Sequence, residues 1–420
     1  MKINLLLFIL ILFSCSSRND FRSIGGVEFA ERSSEPYLYS FGDDLIISWT
    51  ENKYDTNYLY TAEYLKDSWD NKELITDGQD WFVNWADFPS ISYNEVSNVK
   101  LSHHLQKSSK STFSYDINYH IFKEGRWFDK NKLHNDETKT EHGFVSSFPY
   151  KDGFVATWLD GRNTNYDKKE MDGHASGPMN LRSAFISSKG DIYEDHLVDE
   201  MVCDCCQTSV TVSNGIPIVV YRDRSRDEKR DISISRYIEG NWTKPVSIHD
   251  DNWIINGCPV NGPNIDSNGD KVVVSWFSAS NGVPKVSLKF SRDNGMTFGN
   301  KIMIDDIINL PTGRVDAEFI SDDEVVVSWL SSFEGKGSLF LRKININGNQ
   351  GEIKKIDDIS MERSTGFPQI EKFQDDLIIA YTDSGSKEKR IKTFKMSISC
   401  LLYTSPSPRD RTRSRMPSSA

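Results

Sequence analysis

The sequence predicts an all-β fold, a β-propeller built from four-stranded blades. It shows almost no helical periodicity, and short runs of β-branched and aromatic residues recur along it. An aromatic residue or a histidine marks each run, and successive marks are 54, 55, 63, 55, 53 and 52 residues apart. These seven anchors are Trp49, His103, Trp158, Tyr221, Trp276, Trp329 and Tyr381. A period of about 50 residues with several strands per unit is typical of a propeller, because a single sheet cannot bury both of its faces.

Each repeat has the same predicted order of elements. A first strand carries a proline or a small residue 13 or 14 positions before the anchor, and the anchor strand follows. An amphipathic third strand, a turn rich in Gly, Asn and Asp, and a weak fourth strand complete the unit. Seven anchors predict seven blades, and six is the alternative if the first or second repeat is incomplete. The last repeat lacks a clear fourth strand, and we expect Val27–Ala30 to supply it and to close the ring.

Both ends of the chain differ from the repeats. Residues 1–14 contain Lys2 and a short apolar run, which predicts a signal peptide. The segment that ends at Cys15 resembles a bacterial lipobox, which implies a lipid anchor on Cys15 in the cell envelope, periplasmic or at the cell surface. An ordinary signal peptide is the alternative. We expect residues 15–34 to form a linker and the propeller to span residues 35–399. Residues 400–420 resemble a translated sequencing adapter, and a natural basic tail is the alternative.

The composition restricts the class of function. The chain of 420 residues has 50 Lys and Arg against 61 Asp and Glu, a formal net charge of −11. A nucleic-acid-binding protein needs a basic face, so this charge argues against nucleic-acid partners. We expect a monomer whose partners are a glycan and, through the anchor, a membrane.

One turn carries a family resemblance. Ser291, Asp293, Gly295, Thr297 and Phe298 match the Asp box, S-x-D-x-G-x-T-[W/F], in which Asp caps the turn and Gly supplies a positive φ. The chain therefore resembles the sialidase (neuraminidase) superfamily of propellers, whose members have six blades. The segments CDCCQTS and GCPVNGP resemble a bacterial exo-α-sialidase-like group. The Asp box is structural, so this resemblance implies a fold and not an activity.

The resemblance implies a ligand site at the mouth of the propeller. The loops that lead into the first strands, called entrance loops below, meet there with the loops after the anchor strands. A sialidase holds the carboxylate of its sugar with arginines, because the guanidinium fork matches a carboxylate. The candidate arginines are Arg162, Arg222, Arg224, Arg314 and Arg363, with His142 and Asn261 as further ligands. For each arginine the alternative is an ion pair with a neighbour. A sialidase also needs an acid/base Asp, and Asp160, Asp223 and Asp316 are the candidates. No motif identifies its Tyr–Glu pair.

Four cysteines give a second signal. Cys203, Cys205 and Cys206 lie in one entrance loop, and Cys258 lies in the next. Two disulfides are one interpretation, since an exported protein permits them. A thiolate site for copper or zinc, with His142 as a further ligand, is the second. A redox dithiol is the third.

These observations lead to three functional hypotheses. The first is an exported, lipid-anchored, sialidase-like propeller that binds or hydrolyses an acidic, sialoside-type glycan at its mouth. If the protein is an enzyme, it is a glycoside hydrolase, and no cofactor is required. The second is a non-catalytic platform for binding or assembly. The third is a metal or redox protein centred on the cysteines. An insertion at residues 164–178, which contains His174, is expected to cover the mouth.

Overall fold

The computed structural model describes residues 21–401, except residues 129–130, 170–174, 306–309, 334–335 and 386–387. Within these residues, seven sheets of four or five strands follow one another along the chain, which confirms the predicted seven-bladed propeller. Six blades are excluded, because the first and second repeats each form a complete sheet. Cys15, His174 and residues 402–420 lie outside the described residues.

The strands are short and are numbered in chain order. The first seventeen are β1 Arg22–Ser23, β2 Gly25–Gly26, β3 Ser33–Phe41, β4 Asp44–Lys53, β5 Thr56–Leu65, β6 Ser68–Gly78, β7 Ile91–Asn94, β8 Val99–Lys107, β9 Tyr115–Lys123, β10 Arg126–Trp127, β11 Asn131–Lys132, β12 His142–Tyr150, β13 Gly153–Asp160, β14 Asn165–Lys169, β15 Ala175–Ser176, β16 Met179–Ile186 and β17 Ile192–Val202. The others are β18 Ser209–Ser213, β19 Ile216–Arg222, β20 Ile232–Ile238, β21 Asn241–Trp242, β22 Val246–Ser247, β23 Asn264–Asn268, β24 Lys271–Ser278, β25 Lys285–Ser291, β26 Ile302–Met303, β27 Leu310–Phe319, β28 Glu324–Phe333, β29 Lys336–Asn345, β30 Lys354–Ile359, β31 Gln369–Phe373, β32 Asp376–Asp383 and β33 Arg390–Ser397. Three 3₁₀ turns are Ser280–Gly282, Arg363–Thr365 and Ile398–Cys400.

Within each blade, antiparallel strands follow chain order from the central channel outward, and β1 and β2 of the N-terminal segment are added at the outer edges of blades seven and one. Blades one to seven begin with β3, β7, β12, β18, β23, β27 and β31. In blade three, the hairpin β14–β15 forms a separate two-stranded sheet between the second and third strands. This hairpin accounts for the long repeat. The part of the chain that the structure describes contains no helix with the length and apolar character that a membrane crossing requires.

The ring closes through the N-terminal segment, but not with the residues predicted. Arg22 and Ser23 pair antiparallel with Lys395 and Phe394, so β1 is the outermost strand of blade seven. The prediction that Val27–Ala30 supplies the closing strand was wrong. Instead Gly25–Gly26 pairs in parallel with the outer strand of blade one, and Val27 N donates to Trp69 O. The same segment thus links the last blade to the first.

Packing between adjacent sheets explains the pattern of the anchor strands. Trp49, Trp158, Trp276 and Trp329 are at most 1% exposed, and Val272–Val274 are fully buried. Because both faces of a middle strand are covered, its residues are apolar without alternation. Burying each large apolar side chain contributes about 1.5–3 kcal/mol to folding.

The turn after β25 has the geometry that its residue types predict. Asp293 accepts hydrogen bonds from Ser291 Oγ at 2.7 Å, from Thr297 N at 2.8 Å and from Thr297 Oγ1 at 2.6 Å. Gly295 has φ +73°, and a Cβ there would lie 3.2 Å from Ile218 Cδ1. The turn therefore connects the third and fourth strands of blade five, away from the entrance loops.

Candidate functional site

The inner strands enclose a cavity of about 270 Å³, and residues of the entrance loops line it. Phe88 and Phe367 contact each other there, with ring centroids 5.7 Å apart. Gln207 joins two other entrance loops, donating to Ala86 O at 2.5 Å and accepting from Gly262 N at 3.0 Å. Aromatic rings and an amide bridge therefore occupy the mouth end of the channel.

Carboxylates line the channel itself. Asp316 accepts from Ile370 N at 2.7 Å, and Glu371 accepts from Ser40 N at 3.0 Å. Each of these bonds joins the inner strands of neighbouring blades. Burial raises the pKa of Asp316 to about 7 and that of Glu371 to about 8. The channel is therefore acidic, and Asp316, a candidate catalytic residue, lies there as a bridge between blades.

Arg222 is fully engaged by the backbone. Its guanidinium donates to Asn261 O, Arg230 O and Phe277 O at 2.7–3.0 Å and lies 4.8 Å from the ring centre of Trp253. The side chain is 1% exposed. It joins blades four and five through these backbone contacts.

Arg162 and Arg224 are neutralised by carboxylates. Arg162 donates to both oxygens of Asp160 at 2.7 Å. Arg224 contacts Asp204 at 3.2 Å and Glu228 at 2.7 Å. These two arginines therefore form ion pairs with nearby carboxylates, which is the predicted alternative to binding a ligand.

Arg314 and Arg363 differ from the other three arginines. The Arg314 guanidinium lies 4.8 Å from the ring centre of Trp85 and donates to the carbonyls of Glu362 and Gly366. Arg363 is exposed, and its side chain makes no hydrogen bond or ion pair with the described residues. Burial and the nearby charge of Arg363 lower the pKa of Arg314 to about 10. No carboxylate among the described residues pairs with either guanidinium.

Asn261 and Asp223 hold loops in place. Asn261 Oδ1 accepts from Arg314 N at 2.7 Å, which joins the entrance loop of blade five to the first strand of blade six. Gly313 permits this contact, because a Cβ there would lie 2.1 Å from Asn261 Oδ1. Asp223 accepts from Ser233 Oγ at 2.9 Å, and burial raises its pKa to about 6.

His142 lies in a buried histidine–aspartate cluster formed by Asp116, His134, Asp136, His142 and Asp160. The His134 and His142 rings stack with centroids 3.7 Å apart. Asp136 joins them, 2.6 Å from His134 Nδ1 and 3.2 Å from His142 Nε2. Among the described residues, the side chains close enough to share a metal ion with His142 are His134 and these aspartates, and no cysteine is among them. The prediction of His142 as a ligand beside the cysteines was wrong, and sequence reasoning missed His134 and Asp136, although both lie in the loop before His142.

A Tyr–Glu pair is also present that no motif indicated. Tyr115 donates to Glu141 Oε1 at 2.5 Å and lies 3.5 Å from Asp87 Oδ2. Tyr115 is fully buried and stacks on Phe82. It does not line the channel cavity.

The four cysteines converge, and none of them is joined to another by a disulfide. Cys203 Sγ lies 3.3 Å from Cys206 Sγ and 4.0 Å from Cys205 Sγ, and Cys258 interacts with Cys205. Arg230 Nη1 donates to Cys203 Sγ at 3.2 Å. The structure therefore contains no disulfide among these four residues.

Comparisons with known proteins support the fold. No protein-family model matches the chain, and no curated protein matches it. A protein of unknown function from Dyadobacter fermentans DSM 18053 is 12% identical over 74% of this chain and 94% of its own, with a TM-score of 0.50. Polysaccharide lyase Uly1 is 7% identical over 90% of this chain and 92% of its own, with a TM-score of 0.52. Phage phi92 endosialidase is 10% identical over 92% and 70%, with a TM-score of 0.45. At these identities the likeness is one of fold alone.

Proposed function

We propose that the protein binds an acidic, sialoside-type glycan at the mouth of the propeller, through Arg314 and Arg363. One observation carries this proposal: two neighbouring guanidinium groups lack a carboxylate partner among the described residues, in a chain with a net charge of −11. Burial and the charge of Arg363 lower the pKa of Arg314, so an anion bound there would favour its charged form. A sugar carboxylate would supply the missing charge, and the guanidinium fork matches its geometry.

Aromatic side chains beside Arg314 support a sugar as the ligand. Trp85 and Phe367 stack with centroids 6.0 Å apart, and both Trp85 and Phe88 are partly exposed. Ligand sites commonly combine aromatic surface with a few placed polar groups. The patch thus offers apolar surface for a pyranose ring and cations for its acid group.

The proposal is restricted to binding. The three candidate acid/base residues are each engaged: Asp160 by Arg162, Asp223 by Ser233, and Asp316 by the amide of Ile370. We propose further that a lipid on Cys15 holds this site at the cell envelope.

Titration of the full chain with sialyllactose and with neutral lactose tests the proposal. We expect saturable binding of sialyllactose alone, which weakens at high salt because the interaction is between charges. Arg363→Gln should weaken binding by about tenfold, the loss of about 1.4 kcal/mol expected for a charge-assisted hydrogen bond. Arg363 is exposed, so this variant should fold normally.

Arg292→Gln is the matched control, since Arg292 is an exposed arginine near the Asp-box turn and contacts Asn347. Equal binding of lactose, or equal affinity of the two variants, would show that the carboxylate is not recognised.

Fractionation of cells that express Cys15→Ser tests the lipid anchor. A variant that stays with the membranes to the same extent as the parent would rule the anchor out.

A further inference from the structure

We propose that the cysteine cluster, formed by Cys203, Cys205, Cys206 and Cys258, is a binding site for one Cu(I) ion. Three thiolates from one entrance loop would be its ligands, and Cys258 from the next loop would be a fourth or exchanging ligand. This site is separate from the guanidinium pair proposed to bind the glycan.

The distances between sulfur atoms suit a shared metal ion. Cys203 Sγ lies 3.3 Å from one partner and 4.0 Å from the other, and the three sulfurs all lie within 4.8 Å of one another. With metal–sulfur bonds of about 2.3 Å, two sulfurs on a three-coordinate, trigonal ion are about 4.0 Å apart. A disulfide would need about 2.05 Å between the same atoms. The thiols are thus arranged around a common point rather than joined in pairs.

The charges around the cluster favour an anionic metal–thiolate complex. Arg230, 1% exposed, donates to Cys203 Sγ at 3.2 Å, and the Arg222 guanidinium is close enough to act on the same thiol. A complex of one Cu(I) with three thiolates carries a charge of −2, which these two guanidinium groups would compensate.

Cu(I) displaces protons from sulfur when it binds. Binding to the thiols of Cys203, Cys205 and Cys206 forms three copper–sulfur bonds, breaks three S–H bonds and releases three protons to solvent. The oxidation state of copper and sulfur does not change. Affinity should therefore rise with pH.

The cluster has both a protected interior and an approach from solvent. Cys203 and Cys206 are at most 1% exposed, whereas Cys205 and Cys258 are partly exposed. An ion could therefore bind first at the outer pair and pass to the inner pair. Copper is favoured over zinc, because soft thiolates select Cu(I) and a structural zinc site needs four ligands in a regular tetrahedron. Here Cys205 and Cys206 are adjacent in sequence, which constrains such a tetrahedron.

The experiment is a competition of the full chain, purified anaerobically with a reductant, against the Cu(I) chelator bathocuproine disulfonate. We expect one Cu(I) per chain, sulfur as the neighbour of copper in X-ray absorption, and binding that strengthens between about pH 6 and 8. Cys203→Ser should lower Cu(I) affinity by at least about tenfold. Cys205→Ser, at a less buried position, should do the same if burial of a hydroxyl unfolds the first variant.

Asp204→Asn is the matched control, because Asp204 lies between the cysteines and its carboxylate accepts from Arg224. It should retain Cu(I) binding. Two disulfides and no titratable thiols in the anaerobic protein would overturn the proposal. So would Cu(I) affinity that is equal in Cys203→Ser and Asp204→Asn. Zinc that binds one per chain and is not displaced by Cu(I) would overturn the assignment to copper.

Discussion

Two groups of buried carboxylates near the channel differ in what surrounds them. In the histidine–aspartate cluster, Asp136 contacts His134 and His142, and Asp160 forms an ion pair with Arg162. In the channel, Glu371 accepts hydrogen bonds from the amide and the hydroxyl of Ser40, and Asp316 accepts from neutral amides. The same chemical group is thus held as an anion in one place and favoured as an acid in the other.

The pKa values follow from these neighbours. Burial would raise the pKa of Asp136, but hydrogen bonds from His134, His142 and Thr138 outweigh it and lower the pKa well below its usual range. In the channel no cation opposes burial, and the pKa of Glu371 rises to about 8. The comparison teaches that depth of burial alone does not decide whether a carboxylate is charged; the partner does.

Asp136→Asn should have the largest effect on this comparison. It removes a buried anion that pairs with His134, whose pKa is raised because hydrogen bonds to Asp116 and Asp136 outweigh burial. Removing one partner of such a pair costs about 3–5 kcal/mol. Urea unfolding monitored by tryptophan fluorescence measures the loss. Asp152→Asn, at an exposed aspartate of the same blade, should change the unfolding free energy by less than about 0.5 kcal/mol. A loss no larger than that of the control would mean that the cluster does not stabilise the fold.

Glu371→Gln should have a smaller effect, and one that depends on pH. The folded-state pKa of about 8 lies above the unfolded value of about 4.3, so wild-type stability falls as the pH rises from about 4 through 8. Glutamine keeps an oxygen that can accept from Ser40 but cannot ionise. The variant should therefore lose less stability than wild type between about pH 5 and 9, by a margin of about 1–3 kcal/mol. Parallel pH profiles for the wild type, Glu371→Gln and the exposed-site control Glu352→Gln would contradict this account.

Asp293→Asn should have the smallest effect. Asp293 lies in the turn after β25, where neutral Ser and Thr groups are its partners and water also reaches it. Their hydrogen bonds outweigh partial burial and lower its pKa. Asparagine retains one acceptor and loses the other, which should cost about 1 kcal/mol in unfolding free energy. A loss as large as that of Asp136→Asn would mean that a surface turn matters as much as a buried cluster.

The repeating units could be predicted because their signals are local. Val272–Val274 and Trp276 lie in a run whose apolar character reflects burial between two sheets, and the same run recurs in each repeat. The closing strand could not be predicted in the same way. Arg22–Ser23 is two residues long and exposed, so it has no apolar pattern, whereas Val27–Ala30 has one.

The roles of the arginines needed the structure for a different reason. The partners of Arg222 are carbonyl oxygens of Asn261 and Phe277, and every residue type has a carbonyl. No pattern of side chains in the sequence reveals such partners. The roles of His134 and Asp136 were not predicted for a similar reason. Their loop has no regular periodicity, and it contacts residues of other strands.

By itself, the sequence determined the class of fold, a count of seven repeats and the loop in which Cys203, Cys205 and Cys206 lie. Those features depend on the period of the repeats and on burial along each strand, which neighbouring residues encode. Only the tertiary structure decided that Arg314 and Arg363 lack a carboxylate partner among the described residues, that His142 joins aspartates, and that four thiols converge. These outcomes depend on contacts between residues tens of positions apart. Such contacts form only when the fold brings one loop close to another.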